Sequence, residues 1–244
     1  MFTVEQRDSL RDRVLDLARE DKRVVGAAVV GSLALGGGDR WSDLDLTFGV
    51  AAAVSDVMRD WTRKLTTELG ATVLVDLERG PTTYRVFLLP DALQLDVSMT
   101  PAEQFRPASP RFRLVFGELA PGEPAAPVPP DTADLFGWGV IYALHSRSCI
   151  ERGRLWQAEH YVGAVRDHAL NLACLREGVT PSQARGYDDL PAETLARFEG
   201  THIAAAETGA LRAALAAGVR EMLREAAEAR LPNAASVAES LADF

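Results

Sequence analysis

Between residues 117 and 131 the chain crowds together Gly117, Pro121, Gly122, Pro124, Pro127, Pro129 and Pro130. Such a stretch reads as a linker, and the sequence changes character across it. On its N-terminal side strand-like runs are mixed with helical ones. On its C-terminal side no strand pattern occurs, and residues 132–152, 154–177 and 201–230 are rich in Ala, Leu, Arg and Glu with a helical period. The expected class is therefore α+β with its elements segregated: a small mixed-sheet domain over 1–116, a Pro-rich linker over 117–131, and an all-α helical-bundle domain over 132–244. A chain of 244 residues is long enough for two small domains.

Within the first part, Leu10, Val14, Leu17 and Ala18 fall at i, i+4, i+7 and i+8, which predicts an amphipathic helix over residues 5–20. The unbroken apolar run 24–30 has the composition of a strand covered on both faces, and it ends at Gly31-Ser32. After a loop containing Gly36, Gly37 and Gly38, residues 43–48 alternate strictly. Leu44, Leu46 and Phe48 point one way, and Asp43, Asp45 and Thr47 the other. A helix is expected over 54–69, then strands over 72–77, 84–89 and 93–99, joined by short turns at Gly80-Pro81 and Pro90-Asp91.

The chemistry concentrates around these elements. Asp43 and Asp45, two apart on a strand, leave the same face, where like charges repel and each carboxylate favours protonation. Divalent cations remove that conflict. Mg²⁺ takes oxygen ligands, one or two carboxylates together with substrate phosphates. Asp96 shares the polar face of its strand with Gln94 and Ser98. If that strand neighbours the Asp43 strand, three carboxylates converge, enough to hold two cations at the spacing of phosphoryl and nucleotidyl transfer. Gly31 lets backbone approach a ligand closely, and Ser32 would open a short helix whose free N–H groups and hydroxyl suit phosphate. A lone Asp-x-Asp is more often a solvated strand face, and a lone Gly-Ser is a weaker signal still. The ordered set in its strand contexts carries the weight.

That set resembles the nucleotidyltransferase superfamily, whose pattern is an apolar strand, Gly-Ser, a short spacer and Asp-apolar-Asp-apolar. Gly31-Ser32 and Ser42-Asp43-Leu44-Asp45-Leu46 match it, Asp96 matches the third carboxylate, and the likeness covers residues 24–99. The resemblance implies that Asp43 and Asp45 hold the metals and Asp96 completes the site, with Gly31, Ser32 and Ser42 on the nucleotide side. It implies two Mg²⁺ ions and a nucleoside triphosphate, ATP, as co-substrate. The reaction implied is in-line transfer of a nucleoside monophosphate to a hydroxyl, with Asp96 also able to take the proton. The two-domain plan, and residues 151–161 followed by Arg166-Asp167, are similar to the antibiotic nucleotidyltransferases that modify aminoglycosides or lincosamides.

In the second half, Gly153 is expected to separate two helices. Trp156, Tyr161 and Arg166 can pack beside an adenine ring or pin phosphates; equally, Trp156 can be core and Arg166 can pair with Asp167 or Glu159. Glu151, Glu159 and Asp167 are candidate acids of an acceptor wall for a small cationic, hydroxyl-rich molecule such as an antibiotic. Asp167 reads more readily as part of a solvated helix face. His160 and His168 are too far apart along a helix to share zinc. The net charge of -9 argues against a nucleic-acid partner, although a protein or RNA acceptor is the alternative enzyme reading and an inactive nucleotide-binding regulator a third. Cys149 and Cys174 are read as buried free thiols. No signal peptide or membrane-length apolar window occurs, so a cytoplasmic protein without membrane contact is expected. The oligomeric state is left open.

Overall fold

The computed structural model describes residues 2–122 and 128–244, so the centre of the Pro-rich stretch, including Pro124 and Pro127, lies outside the described residues. The chain divides into two compact units, Met1–Pro127 and Val128–Phe244, and the class is α+β.

The first unit is built on a six-stranded mixed sheet. Its strands are β1 (Val24–Val30), β2 (Leu44–Val50), β3 (Thr72–Arg79), β4 (Thr82–Leu88), β5 (Gln94–Pro101) and β6 (Phe112–Gly117). Their order across the sheet is β3-β4-β5-β2-β1-β6. β2 and β5 run parallel; the other pairs are antiparallel. Helix α1 (Val4–Glu20) starts on a capping box, in which the Thr3 hydroxyl accepts from the Gln6 N–H and the Gln6 side chain accepts from the Thr3 N–H. Helix α2 (Val54–Leu69) stops at Gly70, whose φ of +66° a side chain would resist. Leu10 and Val14 of α1 and Val57, Trp61 and Leu65 of α2 pack on Leu44, Leu46, Phe48, Leu95, Val97 and Met99, one continuous core beneath the sheet. The alternation that buries these residues turns Asp45, Thr47, Asp96 and Ser98 to the opposite face.

One end of that opposite face is closed by Phe105. Its ring lies over Gly26 and Gly49, where an added Cβ would stand 2.6 Å and 2.7 Å from ring carbons. The two neighbouring strands have given up their side chains to seat one aromatic ring.

The second unit is helical: α3 (Thr132–Glu151), α4 (Leu155–Glu177), α5 (Ala192–Phe198), α6 (Thr208–Glu228) and α7 (Ala234–Ser240). Asp131 caps α3 by accepting from the Asp134 N–H at 3.0 Å. Gly153, at φ +67°, turns the chain between α3 and α4. Phe136, Val165, Leu211 and Met222 lie in a core of their own, and Gly139 gives the Met222 sulfur the room a Cβ would fill. Two buried carboxylates of α6 are held by arginines from other helices. Glu225 binds Arg176 of α4 at 2.7 Å and Arg197 of α5 at 2.8 Å, and Glu221 lies 3.4 Å from Arg197. Cys149 and Cys174 are buried free thiols, and burial pushes the Cys174 thiol up to about 11, aided by the charge of Asp189.

Several expectations need correcting. Strand β6 falls in a segment with no alternation to announce it; Gly117, counted with the linker, is its last residue. Strand β2 begins at Leu44, so Asp43 stands just before it. Val25 of β1 is exposed, so the strand is not covered along its whole length. The helical run expected over 201–230 begins only at Thr208, after α5 and a 3₁₀ turn. Trp156 is not core: it is 83% exposed.

Candidate functional site

The parallel pairing sets Asp45 directly opposite Asp96. Asp43 precedes the same strand by one residue, and one oxygen from each of Asp43, Asp45 and Asp96 lies within 4.8 Å of the others. All three side chains are half-buried. Burial raises the Asp96 carboxyl above its ordinary range, the Asp43 charge adds to the effect, and the amide of Gln94, donating at 2.9 Å, works against it. Three carboxylates meet here, and one of them is raised. Oxygen-only ligands of this kind suit a hard divalent cation such as Mg²⁺.

The Gly-Ser turn adjoins them. Residues 31–35 form a 3₁₀ turn directly after β1. Gly31 sits at φ +68°, and a Cβ there would stand 2.1 Å from Oδ2 of Asp45. Only glycine allows the turn and the Asp45 carboxylate to be so close. The Ser32 hydroxyl oxygen is shielded from solvent and has no hydrogen-bond partner among the described residues, which is uncommon for a buried polar atom and points to a group donated or accepted from outside. Gly36, at φ +74°, ends the turn.

Ser42 behaves differently. Its hydroxyl accepts from the Asp39 N–H at 3.0 Å and donates to the Asp39 carboxylate at 3.2 Å, while the Trp41 N–H donates to the same carboxylate at 2.8 Å. These bonds hold Asp39 below the usual carboxylate range, the Trp41 N–H most of all. Ser42 therefore shapes the loop that delivers Asp43. Arg166 lies on α4 in the helical unit, where Nε and Nη2 both donate to Asp167 at 3.1 Å. Tyr161 stacks on Tyr142 at 5.9 Å between ring centroids, with His145 against its edge at 5.2 Å.

Two residues that the sequence reading passed over hold the site in place. Arg7 is 3% exposed and donates to the backbone carbonyls of Asp39 and Ser42, pinning the loop to α1. Arg113 of β6 donates to the Ala34 carbonyl at 3.2 Å, pinning the 3₁₀ turn. Arg7 did leave a trace in the sequence: it precedes Leu10 and Val14 at helical spacing, so the apolar stripe of α1 begins with a charge.

No protein-family model and no curated protein matches the chain. Among solved structures, the chain is similar to an aminoglycoside 6-adenyltransferase from Bacillus subtilis, at 14% identity over 99% of this chain and 92% of that one, with a TM-score of 0.39. It is also similar to a nucleotidyltransferase-like protein from Exiguobacterium sibiricum 255-15, at 12% identity over 90% of this chain and 75% of that one, with a TM-score of 0.37. At these scores neither likeness adds weight to the site, which stands on its own geometry. Among the described residues, no helix is long and apolar enough to cross a membrane.

Proposed function

We propose that the chain is a divalent-metal-dependent nucleotidyltransferase that moves a nucleoside monophosphate, AMP from ATP, onto a hydroxyl of a small molecule. The observation that carries the reading is the meeting of Asp43, Asp45 and Asp96 within 4.8 Å, beside a glycine-opened turn that bears the unpartnered Ser32 hydroxyl.

Asp43, Asp45 and Asp96 would hold Mg²⁺, and the metal would supply charge neutralisation along the triphosphate and a lowered pKa for the attacking hydroxyl. The Ser32 hydroxyl donates a hydrogen bond to an outer phosphate oxygen, and the glycine beside it keeps side-chain bulk away from the anion. Asp96, on the strand beyond the paired acids, orients the acceptor hydroxyl and receives its proton. Positioning and preorganised charge supply most of the acceleration. The first unit carries this chemistry, and the helical unit is proposed to take part in acceptor recognition. An antibiotic of the aminoglycoside or lincosamide kind is the acceptor proposed.

The test is transfer of label from ATP carrying a radioactive α-phosphate, in Mg²⁺, to a panel of both antibiotic classes. Wild-type protein should label a panel member and release pyrophosphate, and Asp45→Asn should do neither. Labelling of a protein or RNA in place of every small molecule would move the acceptor to the macromolecular class. Equal turnover by Asp45→Asn would remove the metal site from the mechanism.

A further inference from the structure

The sheet face that carries the acids continues past them. In register, Asp45 lies opposite Asp96, Asp96 opposite Val86, and Val86 opposite Val75. The next pairs along the same face are Tyr84 with Leu77 and Leu88 with Thr72. Val75 and Leu77 are 46% and 47% exposed, and Leu88 is 40% exposed. A row of carboxylates therefore gives way, within one strand spacing, to an open aliphatic shelf, and β3 is the edge of the sheet. An edge strand with bare aliphatic side chains invites aggregation and is ordinarily blunted by charge. Asp76, paired with Arg85, and Glu78 put their charge on the other face of β3; on this face the charge is at the far end, where the Arg79 guanidinium lies 5.8 Å from the centre of the Tyr84 ring.

We infer that the acceptor in the reaction proposed above is amphipathic: a hydroxyl presented at Asp96, carrying an uncharged alkyl or aryl substituent that lies across Val86 and reaches Val75 and Leu77. Strands are spaced about 4.8 Å apart, so the substituent meets Val86 about 5 Å and Val75 about 10 Å from the reacting end. The continuity of the register supports this occupant, since a molecule that presents a hydroxyl at Asp96 and lies along the sheet away from Asp45 has its next atoms over Val86 of β4. A polycation without apolar surface gains nothing from the shelf and meets Arg79 at its end. The inference rests on the proposed nucleotide transfer and narrows its acceptor.

The experiment uses the full chain with ¹³C-methyl-labelled Val and Leu, loaded with Mg²⁺ and a non-hydrolysable ATP analogue. Hexyl β-D-glucopyranoside and methyl β-D-glucopyranoside are titrated in parallel. The hexyl compound should move the Val75, Leu77 and Val86 methyl signals and bind at least about tenfold more tightly than the methyl compound. Val75→Thr combined with Leu77→Gln should bring that ratio to about threefold or less. Val73→Thr should leave it unchanged, because Val73 pairs with the core residue Phe87 and faces away from the acids. Equal affinities or unmoved shelf methyls, with the analogue bound, overturn the inference and leave nucleotide transfer standing. Sedimentation showing a dimer that the double substitution dissociates also overturns it, giving β3 to a second copy of the chain. Failure of the analogue to bind in Mg²⁺ overturns both.

Discussion

At the scale of single residues, the site sets like charges against one another before any metal binds. Asp45→Asn removes one of them at almost no change in shape. The variant should lose the rise in melting temperature that saturating Mg²⁺ gives the wild type; calorimetry with and without Mg²⁺ checks this. Two aspartates outside that comparison should respond to pH with opposite signs. Burial raises Asp96, so the folded protein holds this proton more tightly than the unfolded chain. Its contribution is full below the unfolded value of about 3.9 and is lost as pH rises through the folded value. Asp96→Asn should therefore raise the metal-free melting temperature near neutrality and converge on wild type in acid. Asp21 is held well below the usual range, chiefly by the Arg23 guanidinium with help from the Trp61 N–H. Its contribution is present above about pH 3.9 and lost on acidification, so Asp21→Asn should melt lower at neutral pH, with the gap closing in acid. The meeting of Asp45 with Asp96 was legible because spacing on a strand decides their face, whereas Asp43 stands one residue before β2 and Gly31-Ser32 lie in a turn, where motif order and not strand parity singled them out. The roles of Arg7 and Arg113 were not legible, since both act on backbone carbonyls that no side-chain pattern encodes.

At the scale of elements, the strands that announced themselves by alternation are those with one face in the core, while β3 was legible from its apolar run although every residue of it is exposed. β2 and β5 alternate because the α1 and α2 side chains lie beneath them. β6 is half-buried at Phe112, Val115 and Phe116 and otherwise exposed, so its residues obey no period, and its pairing with β1 is a matter of backbone bonds. The fate of Phe105 was equally hidden, because the signal is two glycines on two other strands. Phe105→Ala should empty the seat over Gly26 and Gly49 and cost about 3–5 kcal/mol, measured by chemical denaturation. The neighbouring acids should still respond to Mg²⁺ in the fraction that remains folded.

At the scale of the whole molecule, each unit has its own core, and the two share no residue. Mg²⁺ should therefore raise the melting of the sheet unit alone. Arg197→Met, which leaves Glu221 and Glu225 of the helical unit short of a cation, should cost about 3 kcal/mol there. Scanning calorimetry of the variant with and without Mg²⁺ separates the two effects. The division into a sheet part and a helical part could be read from composition, while the charged staple could not, because its four residues come from three helices. The parallel pairing of β2 with β5 has a kinetic consequence. Between β2 and β5 the chain runs through α2 and the β3–β4 hairpin before β5 returns beside it. Local hairpins close quickly and distant pairings slowly, so the ion site comes into being only when this long excursion has closed. Mg²⁺ should then slow unfolding and leave the refolding rate almost untouched. A chain in which β5 has not yet come beside β2 offers the ion no complete site, and capture of the metal marks the closing of that pair.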